Sequence, residues 1–80
     1  EAMEDLEAIM KTFAGRAPSQ RRLIARLKKG SAAGELRGDY REGQFLLLVR
    51  RALQEGLLEK VSKGFYAGLR WNDEAASLNA

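Results

Sequence analysis

The feature that most constrains this fold is an apolar helix that must end at a glycine and is followed at once by two short strands. Asp39 and Glu42 have the spacing of a helix-start capping box, and an apolar run follows them. A helix is predicted over residues 40–55, and Gly56 stands where a left-handed residue closes a helix. In a chain of 80 residues, only small elements can follow a helix that ends there.

Two segments beyond Gly56 alternate apolar and polar residues, which is typical of paired strands with one buried side. The strands are predicted over residues 57–62 and 65–71, with Lys63 and Gly64 closing the hairpin. One side of the second strand would carry four apolar side chains: Phe65, Ala67, Leu69 and Trp71. Residues 72–80 are predicted to form a frayed tail.

Three further helical segments precede the capping box. The first covers residues 2–13 and carries an apolar stripe at helical spacing, with Ile9 beside it: Met3, Leu6, Met10 and Phe13. The second begins near Pro18 and Ser19 and is predicted to stop at Gly30. The third, over residues 31–38, can only be short because it contains two glycines. The expected fold class is mostly α with a small β-hairpin.

The positive charge is concentrated in the middle of the chain. The net charge is only +3, but residues 11–71 contain all fourteen Lys and Arg and five acids, a local net charge of +9. Residues 16–30 carry six cations and no acid: Arg16, Arg21, Arg22, Arg26, Lys28 and Lys29. Such a field attracts phosphate, although the same charges on a solvated helix would only aid solubility.

Composition argues against catalysis. The chain has no Cys and no His, which removes the usual thiolate nucleophile, general base and transition-metal ligands. No enzymatic activity, cofactor, metal or small-molecule substrate is expected. The longest apolar run, residues 45–49, is far below the roughly 20 residues needed to span a bilayer. A cytoplasmic or nuclear location is expected, and the first residue, Glu1, suggests a module of a longer protein.

The sequence from Arg51 to Tyr66 resembles the recognition helix and wing of winged helix-turn-helix proteins. The resemblance depends on Leu53, Gly56 and the apolar pair Leu57 and Leu58, followed by a Lys-Gly turn and an aromatic strand. Within that superfamily it is similar to the DNA-binding heads of some bacterial antitoxins and to linker-histone globular domains. The resemblance implies a single domain with an acidic N-terminal helix (residues 1–15), a winged-helix core with three helices (16–71) and a tail (72–80).

The resemblance also implies a non-catalytic domain that binds nucleic acid, most simply double-stranded DNA, because the third helix of that fold usually enters the major groove. Arg51 and Gln54 could read base edges there. The complete set of predicted nucleic-acid contacts is Arg21, Arg22, Arg26, Lys28, Lys29, Gln44, Arg50, Arg51, Gln54, Lys63, Tyr66 and Arg70.

Helical periodicity leaves open which side of the last long helix is buried. If the core side is Leu46, Val49 and Leu53, the outward residues are Gln44, Leu47, Leu48, Arg51 and Gln54. If the core side is Phe45, Leu48, Val49 and Ala52, the outward residues are Leu47, Arg50, Arg51 and Gln54. Leu47 points outward in both arrangements.

An outward leucine supports a second function, in which the domain docks a protein partner or a second copy. Leu47 and Leu48 are the predicted partner contacts, because a helix that is apolar nearly all round is normally buried on more than one side. The stripe of the first helix could instead cover one of these leucines. RNA binding is a weaker third possibility.

Overall fold

The computed structural model describes residues 2–64 and 67–78. In this part of the chain the elements are α1 (Ala2–Lys11), α2 (Gln20–Ala32), α3 (Glu42–Gln54), β1 (Leu58–Lys60), β2 (Leu69–Trp71) and α4 (Asp73–Leu78). The predicted mostly helical architecture with one small antiparallel hairpin is therefore confirmed. None of the described helices is both long and apolar enough to cross a membrane.

One apolar core joins the first three helices to the hairpin. It contains Leu6, Ile9, Met10, Leu23, Leu27, Phe45, Leu48, Val49, Ala52, Leu57, Leu58 and Leu69. Ile9, which was expected beside the stripe of α1, is almost fully buried, whereas Met3 and Phe13 are only partly buried. The acidic helix α1 thus forms part of the main core.

Helix α2 begins where the sequence predicts and ends later. The Ser19 hydroxyl caps it by accepting a hydrogen bond from the backbone N–H of Arg22 at 3.3 Å. The prediction that Gly30 ends the helix is wrong, because Gly30 is buried inside α2, where a Cβ would lie 3.0 Å from Cδ1 of Ile9. Gly34, with φ of +74°, closes the helix instead. The backbone N–H of Glu35 reaches back to the Gly30 carbonyl at 2.8 Å.

The predicted short helix over residues 31–38 is also wrong. Residues 31 and 32 complete α2, and the chain from 33 to 41 crosses to α3 without a helix. This connection is held by Asp5 of α1, which is only 3% exposed. Its carboxylate accepts hydrogen bonds from the backbone N–H groups of Arg37 and Gly38, both at 2.9 Å, and from the Tyr40 hydroxyl at 2.6 Å.

These hydrogen bonds decide the charge state of Asp5. Burial by itself would raise the pKa of this carboxyl, but the bonds from Tyr40 and from the two backbone groups, with the Arg37 charge, lower the pKa below its ordinary value of 3.8. The Tyr40 ring also lies 5.7 Å from the ring of Phe45, centroid to centroid. The connection is therefore fixed to both α1 and the core.

Helix α3 begins three residues after the predicted capping residue. Asp39 lies outside the helix, and Arg41 is the N-cap residue. The Gln44 side-chain oxygen accepts a hydrogen bond from the Arg41 backbone N–H at 2.6 Å. This is one of the two hydrogen bonds of a capping box; the other needs a side-chain oxygen on the N-cap residue, which arginine lacks. The predicted stop at Gly56 is confirmed, since its φ is +76° and the Leu57 N–H bonds to the Ala52 carbonyl at 2.9 Å.

The hairpin is shorter than the sequence predicts but has the expected sides. The strands pair antiparallel with Leu58 opposite Trp71, Glu59 opposite Arg70 and Lys60 opposite Leu69. Ala67 and Leu69 are buried and Trp71 is partly buried, as the alternation predicts, while Phe65 lies outside the described residues. The Leu69 N–H also bonds to the Pro18 carbonyl at 2.8 Å, so the hairpin is attached to the segment before α2.

The residues after the hairpin are not a frayed tail through their described length. Asn72 donates its backbone N–H to the Leu57 carbonyl at 2.7 Å, and its side-chain oxygen accepts from the Ala75 N–H at 3.2 Å. These bonds begin α4, which contributes partly buried Ala75 to the edge of the core.

Candidate nucleic-acid interface

A groove of about 690 Å³ lies between α2, α3 and the hairpin. Four of its lining residues are cations: Arg21 and Lys28 from α2, Arg50 from α3 and Lys60 from β1. We call these four residues the groove cations. None of the described residues that line the groove is acidic. The groove therefore gathers one sign of charge from three separate elements.

The local geometry of each element explains this convergence. Arg21 and Lys28 are seven residues apart, which places them on one side of α2, about 10 Å apart along its axis. Arg50 is exposed on α3, next to Val49, which is buried in the core. Lys60 is exposed at the end of β1, opposite the buried Leu69.

The floor of the groove is apolar. It consists of the four apolar lining residues, Ile24 and Ala25 from α2 with Ala67 and Leu69 from the hairpin. The polar side chains of Ser19 and Gln20, at the start of α2, also line the groove. Ala25 is exposed, Ile24 is partly buried, and Leu69 reaches the core cluster. The site is thus an apolar trough with positive charges around it.

Two cations of the basic α2 segment are partly neutralised by acids that are distant in sequence. Arg26 pairs with Glu35 at 2.8 Å and Lys28 pairs with Glu42 at 3.0 Å. Residues 16–30 contain no acid of their own, but the chain after α2 returns along them and supplies Glu35 and Glu42. Among the described residues, Arg21, Arg50 and Lys60 have no ion-pair partner.

The structure places the other predicted cations away from the groove lining. Arg22 and Lys29 are exposed on α2, and Lys63 is exposed in the hairpin loop. Arg51 pairs with Glu55 at 2.8 Å along α3, and Arg70 pairs with Glu59 at 2.6 Å across the hairpin. Tyr66 lies outside the described residues.

The buried side of α3 is the second of the two predicted arrangements. Phe45, Leu48, Val49 and Ala52 are buried, and the outward residues include Leu47, Arg50, Arg51 and Gln54. Leu48 is only 6% exposed, so its predicted role as a partner contact is corrected to a core role. Leu47 is 61% exposed. Gln44 is also exposed, but its side-chain oxygen already accepts the hydrogen bond from the Arg41 N–H at the start of α3.

Sequence reasoning missed Lys60 and the apolar floor. Lys60 could have been identified from its outward position in an alternating strand, although its distance from Arg21 depends on how the hairpin docks. The floor could not be predicted, because Ile24 and Ala25 belong to α2 whereas Ala67 and Leu69 belong to the hairpin, and only the docking of the hairpin brings them together.

No group of acidic side chains in the described part of the chain is arranged to hold a metal ion. Comparisons with protein-family models, with curated proteins and with solved structures found no match to this chain.

Proposed function

We propose that this domain is a non-catalytic winged-helix module that binds nucleic acid, with double-stranded DNA as its principal ligand. The observation that carries the proposal is the convergence of Arg21, Lys28, Arg50 and Lys60 on one groove without a described acidic lining residue. Cations grouped in this way bind phosphates and release the counterions condensed on them.

The order of elements supports the winged-helix part of the proposal. Three helices that share one core precede an antiparallel hairpin, and the hairpin is attached to the segment before α2. The described part of residues 16–71 contains two helices and not the three that the sequence predicts, so the third helix of the proposed winged-helix core is α1, which was expected to lie outside it. The connection over residues 33–41 is longer than the turn of about 3–4 residues in simple helix-turn-helix motifs. The angle at which α3 approaches DNA would therefore differ from that in those motifs.

In this proposal, phosphate contacts supply most of the affinity and α3 supplies limited base reading. Arg50 would contact a phosphate beside the groove, while Gln54 and Arg51 point outward for base edges. Arg51 must first leave Glu55, which is a small cost because both side chains are largely exposed. Lys63, in the exposed hairpin loop, could add a contact with a neighbouring phosphate.

The test is a titration of a labelled duplex of DNA with this protein at several salt concentrations. If the four groove cations each neutralise one phosphate, the logarithm of affinity should fall against the logarithm of salt with a slope of about −3.6. The Arg21→Gln/Arg50→Gln variant should bind more weakly, with a slope of about −1.8.

The matched control is Arg16→Gln/Arg37→Gln, which removes the same charge from exposed positions outside the groove. This variant should bind almost as tightly as the original protein. Equal losses in both variants would show that overall charge, and not the groove, attracts DNA. Absence of binding at low salt would refute the proposed function.

A second function, docking of a protein through α3, is favoured by Leu47. It is the most exposed of the large apolar side chains described, and Val61 is the other at 49%. If Leu47 mediates self-association, sedimentation should show an oligomer that persists in high salt and dissociates in Leu47→Ser. A monomer at high concentration would argue against self-association.

A further inference from the structure

The apolar floor of the groove is not needed for phosphate binding. Phosphates pair with the four groove cations and gain nothing from the apolar side chains between them. The bases of a duplex are stacked inside it, and the apolar group that their edges offer is the thymine methyl. The floor therefore points to a ligand that has apolar groups of its own.

We propose that the groove binds an acidic, amphipathic peptide segment of a partner protein. One or two aliphatic or aromatic side chains of the segment would lie on the floor, and its carboxylates would pair with the groove cations. This inference goes beyond the proposed function, since it assigns the same groove a protein ligand.

The accessible part of the floor is aliphatic. It comes mainly from Ile24, which is partly buried, and from Ala25, which is exposed, because Ala67 and Leu69 are buried. Aliphatic surface gains free energy by covering any apolar side chain, whatever its shape.

The positive charges around the floor favour a negatively charged partner. Arg21 and Lys28 lie along the α2 side, while Arg50 and Lys60 come from the other elements. A segment with Asp or Glu flanking its apolar residues would meet a cation on either side, and a basic segment would be repelled. Because DNA would use the same cations, the peptide and DNA should compete.

The probe is a labelled helical peptide rich in Asp, with Leu at every third or fourth position so that the leucines share one side. Two control peptides replace Asp by Lys or Leu by Ser. The key variant is Ala25→Gln, which puts a neutral, longer side chain on the floor and keeps every charge. Its matched control is Ala32→Gln, at an exposed position of the same helix outside the groove lining.

Binding of the Asp–Leu peptide should weaken about tenfold or more in Ala25→Gln, the effect of losing one buried leucine contact. It should be unchanged in Ala32→Gln and much weaker for both control peptides. Duplex DNA should displace the peptide from the original protein, because both ligands use the groove cations.

Three results would overturn the inference. One is absence of peptide binding at low salt. Another is peptide binding whose affinity changes neither in Ala25→Gln nor when the leucines of the peptide are replaced by Ser. The third is a thymidine oligonucleotide that binds Ala25→Gln more weakly than the original protein while the peptide binds both equally. That result would assign the floor to unpaired bases. The duplex titration separates these results from failure of the proposed function.

Discussion

Replacement of Asp5 by Asn should destabilise the domain far more than any other change of one acidic side chain to its amide. The two carboxylate oxygens of Asp5 accept three hydrogen bonds, and all three donors come from the connection between α2 and α3. An amide keeps one acceptor oxygen and turns an NH2 group toward at least one backbone N–H. That N–H of Arg37 or Gly38 then loses its partner at a site where Asp5 is only 3% exposed.

The expected loss is about 3 kcal/mol. A hydrogen bond to a charged acceptor is worth about 1.5–3 kcal/mol, and the bonds that remain weaken because the acceptor is now neutral. A domain of this size has a free energy of unfolding of only about 4–12 kcal/mol, so the variant should be visibly less stable. Tyr40→Phe, which removes one hydrogen bond to the carboxylate, should cost about 1.5–3 kcal/mol.

The assay is urea unfolding followed by helical circular dichroism at neutral pH. The control is Glu4→Gln, which removes the adjacent acid, whose ion pair with Arg37 is exposed and 3.5 Å long. It should change the free energy of unfolding by no more than about 0.5 kcal/mol.

The pH dependence gives an independent check. Since folding lowers the pKa of Asp5, this group stabilises the fold above its ordinary pKa of 3.8, and the contribution disappears as pH falls through the lower, folded value. Stability of Asp5→Asn should therefore fall less steeply than that of the original protein below that pH. A loss under about 1 kcal/mol at neutral pH, with an unchanged acid limb, would refute the assigned role of Asp5.

Three further predictions concern two glycines and one ion pair. Gly68→Ala should cost about 1–3 kcal/mol in urea unfolding, because the new Cβ would lie 2.6 Å from the Cβ of Ala17 and 2.7 Å from its carbonyl oxygen. Gly56→Ala should cost about 1–2 kcal/mol by the same assay, entirely from its φ of +76°, since a Cβ there meets no neighbouring atom. A neutral effect at either glycine would contradict its assigned role. In the proposed function, Glu42→Gln should tighten duplex binding up to about fivefold in the salt titration by releasing Lys28 from its exposed partner, and weaker binding would contradict this.

Local sequence signals predicted the start of α2 and the end of α3 but not the start of α3, where Arg41 and not Asp39 is the N-cap residue. Ser19 caps α2 and Gly56 closes α3 because a hydroxyl acceptor and a left-handed backbone are properties of single residues. The same reasoning failed at Gly30, since the close approach of Ile9 explains a glycine there equally well. It failed over residues 31–38, where Asp5, more than 30 residues away in sequence, provides the hydrogen bonds that hold the chain outside a helix.

The sequence predicted most of the basic residues of the candidate site but not how they are arranged. The sequence indicated a basic central segment and named Arg21, Lys28 and Arg50 among its candidates. It could not show that Glu35 and Glu42 return to Arg26 and Lys28, because those pairings depend on the path of the connection. It also left two burial patterns for α3 open, and packing against the core selected the one that buries Leu48.

The sequence by itself determined the three long helices, the hairpin, the start of α2, the end of α3 and the sign of the charge, because periodicity, capping and net charge depend on residues close together in the chain. Tertiary structure decided which charges remain without a partner and where they meet an apolar surface. Arg21, Arg50 and Lys60 surround one floor only because α2, α3 and the hairpin pack on a common core. Electrostatic and apolar contacts depend on the distance between groups in space and not on their separation along the chain.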